Sequence, residues 1–76
     1  MTELVEYLVK QFVDKENFEI VLIEDEDKIE HKVLVDKDHI AKVIGKGGRN
    51  SKAIRTIVRA ASVKMDKNHT VYIEER

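Results

Sequence analysis

The 76-residue sequence contains no cysteine and no proline. Without cysteine, neither a disulfide framework nor a thiolate metal site can form. No apolar run is long enough to span a bilayer, and the N-terminus lacks the basic region of a signal peptide, so we expect a cytoplasmic protein that does not enter a membrane. Because the chain also has no repeat and no low-complexity linker, residues 1–76 are predicted to form one domain.

Groups suited to catalysis are equally scarce. The only serines, Ser51 and Ser62, fall within a predicted helix, and the carboxylates gather in a loop or at helix starts without a partnered base. The three histidines lack the i, i+4 spacing of a helical metal site, and we interpret them as strand or surface residues: His31, His39 and His69. The sequence therefore predicts a protein that is not an enzyme and uses no cofactor or metal.

Glycine is rare, and all three glycines lie in the segment Gly45-Lys46-Gly47-Gly48. Such a cluster indicates that a positive φ or a close approach to the main chain is needed there. Lys46 and Arg49 add positive charge, and a helix is predicted to begin just afterwards, so a phosphate is the ligand that this segment favours. The alternative interpretation is a tight turn between two helices that binds nothing.

Charge is strongly segregated along the chain although the net charge is only −1. Residues 1–36 contain four Lys or Arg against eleven Asp or Glu, whereas residues 37–67 contain nine against two. This division predicts a basic face that attracts a polyanion and an acidic face that discourages indiscriminate binding.

Hydrophobic spacing predicts six elements in the order helix, strand, strand, helix, helix, strand. The first helix runs from Thr2, as N-cap, to about Asp14, and the other elements follow at about 18–23, 29–35, 40–44, after the glycines, and 70–73. Asp36 or Asp38 is expected to cap the short helix that ends at Gly45. The fold class is α+β, with a three-stranded sheet and helices on one of its faces.

The helix that follows the glycines is predicted to be amphipathic. Its packing face should contain Ile54, Ile57, Val58, Ala61 and Met65, and its opposite face should carry Arg49, Lys52, Arg55 and Arg59. One face of this helix would therefore join the core while the other remains basic.

This order of elements, with Gly-x-x-Gly between two helices, resembles a type II KH domain over the whole chain. Val43-Ile44 before the motif and Ile54 after it match many KH domains. The segment from Lys52 to Val58 is similar to the small bacterial single-KH proteins of the KhpA group. One departure is that Asn50 and Ser51 stand where an apolar residue often seats the second helix.

The resemblance implies binding of single-stranded RNA without chemistry, with about four nucleotides held in an apolar groove. Gly45 and Gly48 would let the chain turn towards the phosphates, and Lys46 and Gly47 would form the loop tip. The cations that would contact the RNA backbone are Arg49, Lys52 and Arg55. The apolar groove would be formed by Ile40, Val43 and Ile44, with His31 or Val33 as further contributors. Because no aromatic residue lies in the basic segment, we expect weak sequence preference and strong salt dependence.

The resemblance also implies an RNA chaperone or post-transcriptional regulator linked to cell wall biogenesis, envelope growth and cell shape. Its partners would be a second copy or a larger KH protein similar to KhpB. The alternative is a protein-protein interaction module with little RNA binding of its own. Two apolar surfaces are candidate contacts for a dimer: Leu4, Val5, Tyr7, Leu8, Val9 and Phe12 on the first helix, and Ala60, Ala61 and Val63 on the third.

Overall fold

Three helices cover one face of a three-stranded sheet in a computed structural model that describes residues 1–76. The elements are α1 (Thr2–Val9), β1 (Phe18–Glu24), β2 (Lys28–Val35), α2 (Ile40–Ile44), α3 (Arg49–Ser62) and β3 (Asn68–Glu75). The central strand β2 pairs antiparallel with β1 and parallel with β3. This arrangement confirms the predicted α+β fold and its order of elements.

Alternate residues of the strands form the sheet side of the core. On β2, His31, Val33 and Val35 are buried while the residues between them are not. Since side chains of a strand alternate between faces, only one face of the sheet is covered by helices. The buried hydrophobic cluster comprises Val5, Val9, Val13, Phe18, Val33, Val35, Val43, Ile54, Val58 and Val71. None of the helices is long and apolar enough to cross a bilayer.

The first helix is shorter than predicted and begins differently. It ends at Val9 rather than near Asp14, and its N-cap is Met1 rather than Thr2. Apolar spacing continues past the helix because Val13 is buried, but the chain reaches it through irregular turns and becomes extended at Asp14. The hydrophobic periodicity therefore extends further along the chain than the backbone hydrogen bonds that define the helix.

The predicted cap of α2 is wrong. Its N-cap is His39, and no side chain donates or accepts a capping hydrogen bond. Asp36 contributes its backbone carbonyl instead, which accepts hydrogen bonds from the N–H groups of His39 and Ile40. The Asp36 carboxylate accepts a 2.7 Å hydrogen bond from Arg76 Nε, so a residue at the far end of the chain occupies it.

The buried face of α3 also differs from the prediction. Its buried residues are Ser51, Ile54, Val58 and Ser62, whereas Ile57 and Ala61 are exposed and Met65 lies exposed beyond the helix. The serines tolerate burial because their hydroxyls donate 3.0 Å hydrogen bonds to the carbonyls of Gly48 and Arg59, three residues earlier. The spacing of apolar residues correctly predicted an amphipathic helix. It misplaced part of the buried face, because the serines were counted as polar and were therefore expected to be exposed.

Candidate nucleic-acid interface

The glycine segment forms a compact link between α2 and α3 in which every glycine has a positive φ. Gly45 ends α2 with φ 76° and ψ 169°, and Gly48 precedes α3 in the left-handed region with φ 80° and ψ 14°. Lys46–Gly48 forms a single 3₁₀ turn between them. A side chain would strain these conformations, so this backbone path requires glycine.

Gly45 is further constrained by the approach of Asn50. A Cβ atom on Gly45 would lie 2.7 Å from Asn50 Cγ and 3.0 Å from the Asn50 backbone nitrogen. Asn50 Nδ2 donates a 2.9 Å hydrogen bond to the carbonyl of Lys42 in the last turn of α2. In the sequence, Asn50 was only a departure from the apolar residue that KH domains often have at this position. In the structure it connects the end of α2 to the start of α3.

The tip of the loop is open to a ligand. Lys46, Gly47 and Arg49 are exposed, and nothing lies within 4 Å of the position that a Gly47 Cβ would occupy. No side chain caps the start of α3. Because the start of a helix carries partial positive charge, this end of α3 favours an anion.

Cations continue from the loop along the exposed side of α3. Lys52, Arg55 and Arg59 extend the positive charge of Arg49 over about 15 Å of helix. Every ion pair in the protein uses a cation from outside this set: Lys15, Lys32, Lys67 or Arg76. The charges of the loop and of α3 are therefore not neutralised by the protein's own carboxylates.

A cleft of about 160 Å³ lies between α3 and the outer edge of β3. Arg55 and Arg59 line it from the helix, and β3 contributes His69, Thr70, Val71 and Tyr72. Arg55 Nε donates a 3.3 Å hydrogen bond to the Val71 carbonyl, and the buried Thr70 hydroxyl has no partner. Sequence patterns missed this part of the site, because nothing in the local sequence indicates that β3 packs beside α3.

The predicted apolar groove is only partly accessible. Ile40 and Ile44 are half-buried and present apolar surface beside the loop. Val43 is fully buried in the core, as are Val33 and His31. Val43, Val33 and His31 therefore present no surface to a ligand in this structure, because the inward side of a short amphipathic helix and the covered face of the sheet both belong to the core.

Beneath the cleft, the buried His31 ring and the His69 ring form a hydrogen-bonded pair. His31 Nε2 and His69 Nδ1 are 2.9 Å apart, and His31 Nδ1 is buried without a partner. Burial lowers the pKa of His31 from the ordinary value of 6.5, and the neighbouring His69 ring lowers it further. Burial likewise lowers the pKa of His69. A proton on His31 would put charge in the core and an N–H at Nδ1 with no acceptor.

We expect this pair to make the fold less stable as the pH falls below about 6.5. The lowered pKa values mean that the unfolded chain binds more protons than the folded one, so the stabilisation is complete above 6.5 and is lost towards the folded pKa values. Urea midpoints followed by circular dichroism at pH 7.5 and 5.5 test this. Glu24 does not interfere, because Lys67 lowers the pKa of its carboxyl below 4.5. His31→Gln should reduce the difference between the two midpoints; an unchanged difference would contradict the assignment.

Comparison of this chain with known proteins points to one family. A family model described as the KhpA/KhpB KH domain matches residues 2–74. The RNA-binding protein KhpA of Clostridium perfringens is 43% identical over 74 residues, which cover 96% of this chain and 99% of that protein. The KhpA proteins of Oceanobacillus iheyensis and Listeria monocytogenes are 41% and 40% identical, over 97% and 99% of this chain and 97% and 100% of their own lengths.

No solved structure gives a significant match. The family model nevertheless covers the α2–loop–α3 unit, β1, β2 and all of β3 except Glu75, and the alignments with the Clostridium and Listeria proteins cover nearly the whole of each chain. The chain therefore belongs to the KhpA/KhpB family of KH domains.

Proposed function

We propose that this protein binds single-stranded RNA through the glycine loop and the basic side of α3, without catalysing a reaction. The observation that carries the proposal is the set of cations without ion-pair partners around the open start of α3. The names of the relatives support it, because they describe RNA binding and not a reaction. The proposed site comprises Ile40, Ile44, Gly45, Lys46, Gly47, Gly48, Arg49, Lys52, Arg55 and Arg59, with Val43 supporting it from the core.

Each part of this site has a distinct role. A phosphate at the loop is attracted by the positive charges of Lys46 and Arg49 and by the start of α3. Gly47 has no side chain, so the RNA backbone can come close to the loop. Lys52 and Arg59 attract the neighbouring phosphates. Bases turn towards the apolar surface of Ile40 and Ile44 and the cleft beside β3. Most of the affinity then comes from phosphate contacts, which carry no sequence information.

The salt dependence of RNA affinity tests this assignment. We expect Lys52→Ala to weaken binding to all sequences about equally and to flatten the slope of log affinity against log salt by about one unit or slightly less. Arg55→Ala should do the same, with an added loss of stability because Arg55 also bonds the Val71 carbonyl. Fluorescence anisotropy with labelled 12-nucleotide RNAs of different sequence measures both effects.

The exposed Lys10 at the end of α1 provides the control, since Lys10→Ala removes the same charge outside the proposed site. A change of sequence preference in the Lys52 variant would contradict its assignment to the RNA backbone. An equal flattening in the Lys10 variant would assign the effect to overall charge.

We also propose that the protein forms a dimer, with a second copy or with a larger KH protein similar to KhpB. The first helix is the weaker candidate surface, because Val5 and Val9 are buried and only Tyr7 of its large apolar residues is exposed. On α3, Ile57 is exposed together with Ala60 and Ala61, and Val63 is exposed just after the helix, so an apolar surface is unoccupied there. Light scattering at micromolar concentration should give twice the 8.8 kDa chain mass. A monomer mass would refute the homodimer.

The biological role that we propose is an RNA chaperone or post-transcriptional regulator in the cytoplasm, linked to cell wall biogenesis and cell shape. This role is supported by the resemblance to the KhpA group and not by the geometry of any residue. Dimerisation would strengthen RNA binding through avidity if both grooves contact one strand.

A further inference from the structure

The sheet has a second free edge, on β1, at the side opposite the cleft beside β3. The backbone N–H of Asp36 donates to the Asn17 carbonyl, and that of Arg76 donates to the Val35 carbonyl. In an antiparallel pair, successive residues of a strand direct their backbone N–H and C=O groups alternately towards and away from the partner strand. These two bonds and the register therefore identify the residues of β1 whose backbone groups point away from β2. They are Phe18, Ile20, Leu22 and Glu24.

Most of these outward groups have no partner in the protein. The Phe18 N–H donates to the Lys15 carbonyl. No backbone or side-chain group bonds the outward N–H and C=O of Ile20 or Leu22. The middle of β1 therefore presents two donors and two acceptors in the spacing that an added strand would pair with.

This edge also lacks the features that usually protect an edge strand. Such strands carry lysine or proline, contain a bulge, or are covered by another segment. On β1 the middle of the strand is Ile20-Val21-Leu22-Ile23, and Val21, Leu22 and Ile23 are 40–50% exposed. The β3 edge differs, because Arg55 bonds its Val71 carbonyl.

One end of the β1 edge carries negative charge that the protein does not neutralise. At the start of the strand, a cleft of about 240 Å³ is lined by Glu6 and Glu19 together with Thr2, Lys15, Phe18 and Ile20, but Glu6 pairs with Lys15 and Glu19 pairs with Arg76. At the other end of the strand, Asp25, Glu26 and Asp27 are exposed and form no ion pair. An incoming strand that alternates apolar and basic residues would match both the exposed hydrophobic side chains and this negative charge.

A second copy of β1 fits this edge poorly. Strand β1 contains two glutamates and no cation, so a second copy of β1 offers no positive charge to Asp25, Glu26 and Asp27. The charge of the edge therefore selects a cationic partner over self-association.

We propose that the β1 edge binds an extended cationic segment of another protein, which adds to the sheet as a fourth strand. Backbone hydrogen bonds to Ile20 and Leu22 supply the pairing, and the acidic turn of Asp25, Glu26 and Asp27 selects basic side chains. The site lies at the opposite edge of the sheet from the proposed RNA surface, so both can be occupied together.

Backbone methylation of a probe peptide tests the proposal without altering the protein. The probe is the labelled hexapeptide Lys-Val-Lys-Ile-Lys-Val, acetylated and amidated, measured by fluorescence anisotropy. Two further versions carry N-methyl groups on odd or on even residues. Because alternate amides of a strand point to opposite sides, one version should lose affinity at least about tenfold and the other should bind like the parent. The reversed-charge peptide Glu-Val-Glu-Ile-Glu-Val should not bind.

Protein variants locate the contact. Leu22→Pro removes an outward N–H without removing a bond to β2, and we expect at least about a tenfold loss of peptide affinity. Leu22→Ala is the matched control, since it shortens the side chain but keeps the N–H, and it should bind more tightly than the proline variant. Both variants should keep the circular dichroism spectrum and the RNA affinity of the native protein, so failure here is distinguishable from failure of the RNA proposal.

Several results would overturn the proposal. Equal binding of the two methylated versions would exclude strand pairing, and equal binding of the reversed-charge peptide would exclude cation selection. Absence of saturable binding up to about 1 mM protein would exclude a useful site. Self-association that Leu22→Pro abolishes, in the absence of peptide binding, would make a second copy the occupant.

Discussion

Replacing Lys46 and Gly47 together by aspartate is expected to weaken RNA binding by about two orders of magnitude while leaving the fold intact. The change removes one cation and places two carboxylates where the proposed site holds a phosphate. Losing charge-assisted contacts of this kind costs enough to account for a hundredfold effect. The fold should persist because both residues are exposed, nothing lies near a Gly47 Cβ, and aspartate tolerates the left-handed conformation at φ 64° and ψ 17° better than most residues.

Fluorescence anisotropy with a short single-stranded RNA at two salt concentrations measures this effect, and circular dichroism verifies folding. The matched control is Lys10→Asp with Gln11→Asp, which changes the net charge equally at exposed positions of the first turn after α1. Equal losses in both variants would assign the effect to net charge. Native-like binding by the loop variant would exclude the loop from the RNA site, and a native protein that does not bind would favour the interaction-module alternative.

Gly45→Ala is expected to lower the free energy of unfolding by about 2–4 kcal/mol, which is a large part of the stability of a small domain. The combination of φ 76° and ψ 169° is essentially restricted to glycine. A methyl group there would also press on Asn50, at 2.7 Å from Cγ and 3.0 Å from the backbone nitrogen. Because one of these contacts is backbone, a change of the Asn50 rotamer cannot relieve it.

Urea denaturation of the Gly45→Ala variant measures the loss, and Gly47→Ala provides the matched control. Gly47 also has a positive φ, but an added Cβ meets nothing within 4 Å, so its substitution should cost only about 1–2 kcal/mol. The difference between the two variants then reports the close approach of Asn50 together with the stricter requirement for glycine in the Gly45 conformation. Equal costs would show that the α2 end can relax away from α3.

The sequence predicted those features that depend on neighbouring residues. The element order and the strands β1 and β2 follow from apolar spacing, and Gly45 ends α2 as expected. The sequence-based predictions failed where a distant residue decides the outcome and where a polar side chain forms its hydrogen bond within its own helix. Arg76 occupies the Asp36 carboxylate that was expected to cap α2, and local hydroxyl bonds let Ser51 and Ser62 replace Ile57 and Ala61 on the buried side of α3.

The candidate site divides in the same way. The glycines and the cations of α3 were recognisable from sequence, because a loop and one side of a helix are formed by residues close together in the chain. The inaccessibility of Val43, the cleft beside β3 and the tie between Asn50 and Lys42 required the folded structure. Each depends on which segment lies against which.

Local backbone preference and hydrophobic period are properties of short stretches of chain, and they alone specify the α+β order, the glycine loop and the segregation of charge. Packing specifies the rest, because burial and hydrogen-bond partners depend on residues far apart in the chain. Tertiary structure thereby buried His31 beside His69, left the charges of α3 without ion-pair partners and left the outward backbone groups of Ile20 and Leu22 unpaired. These are the features on which function depends in the proposals made above.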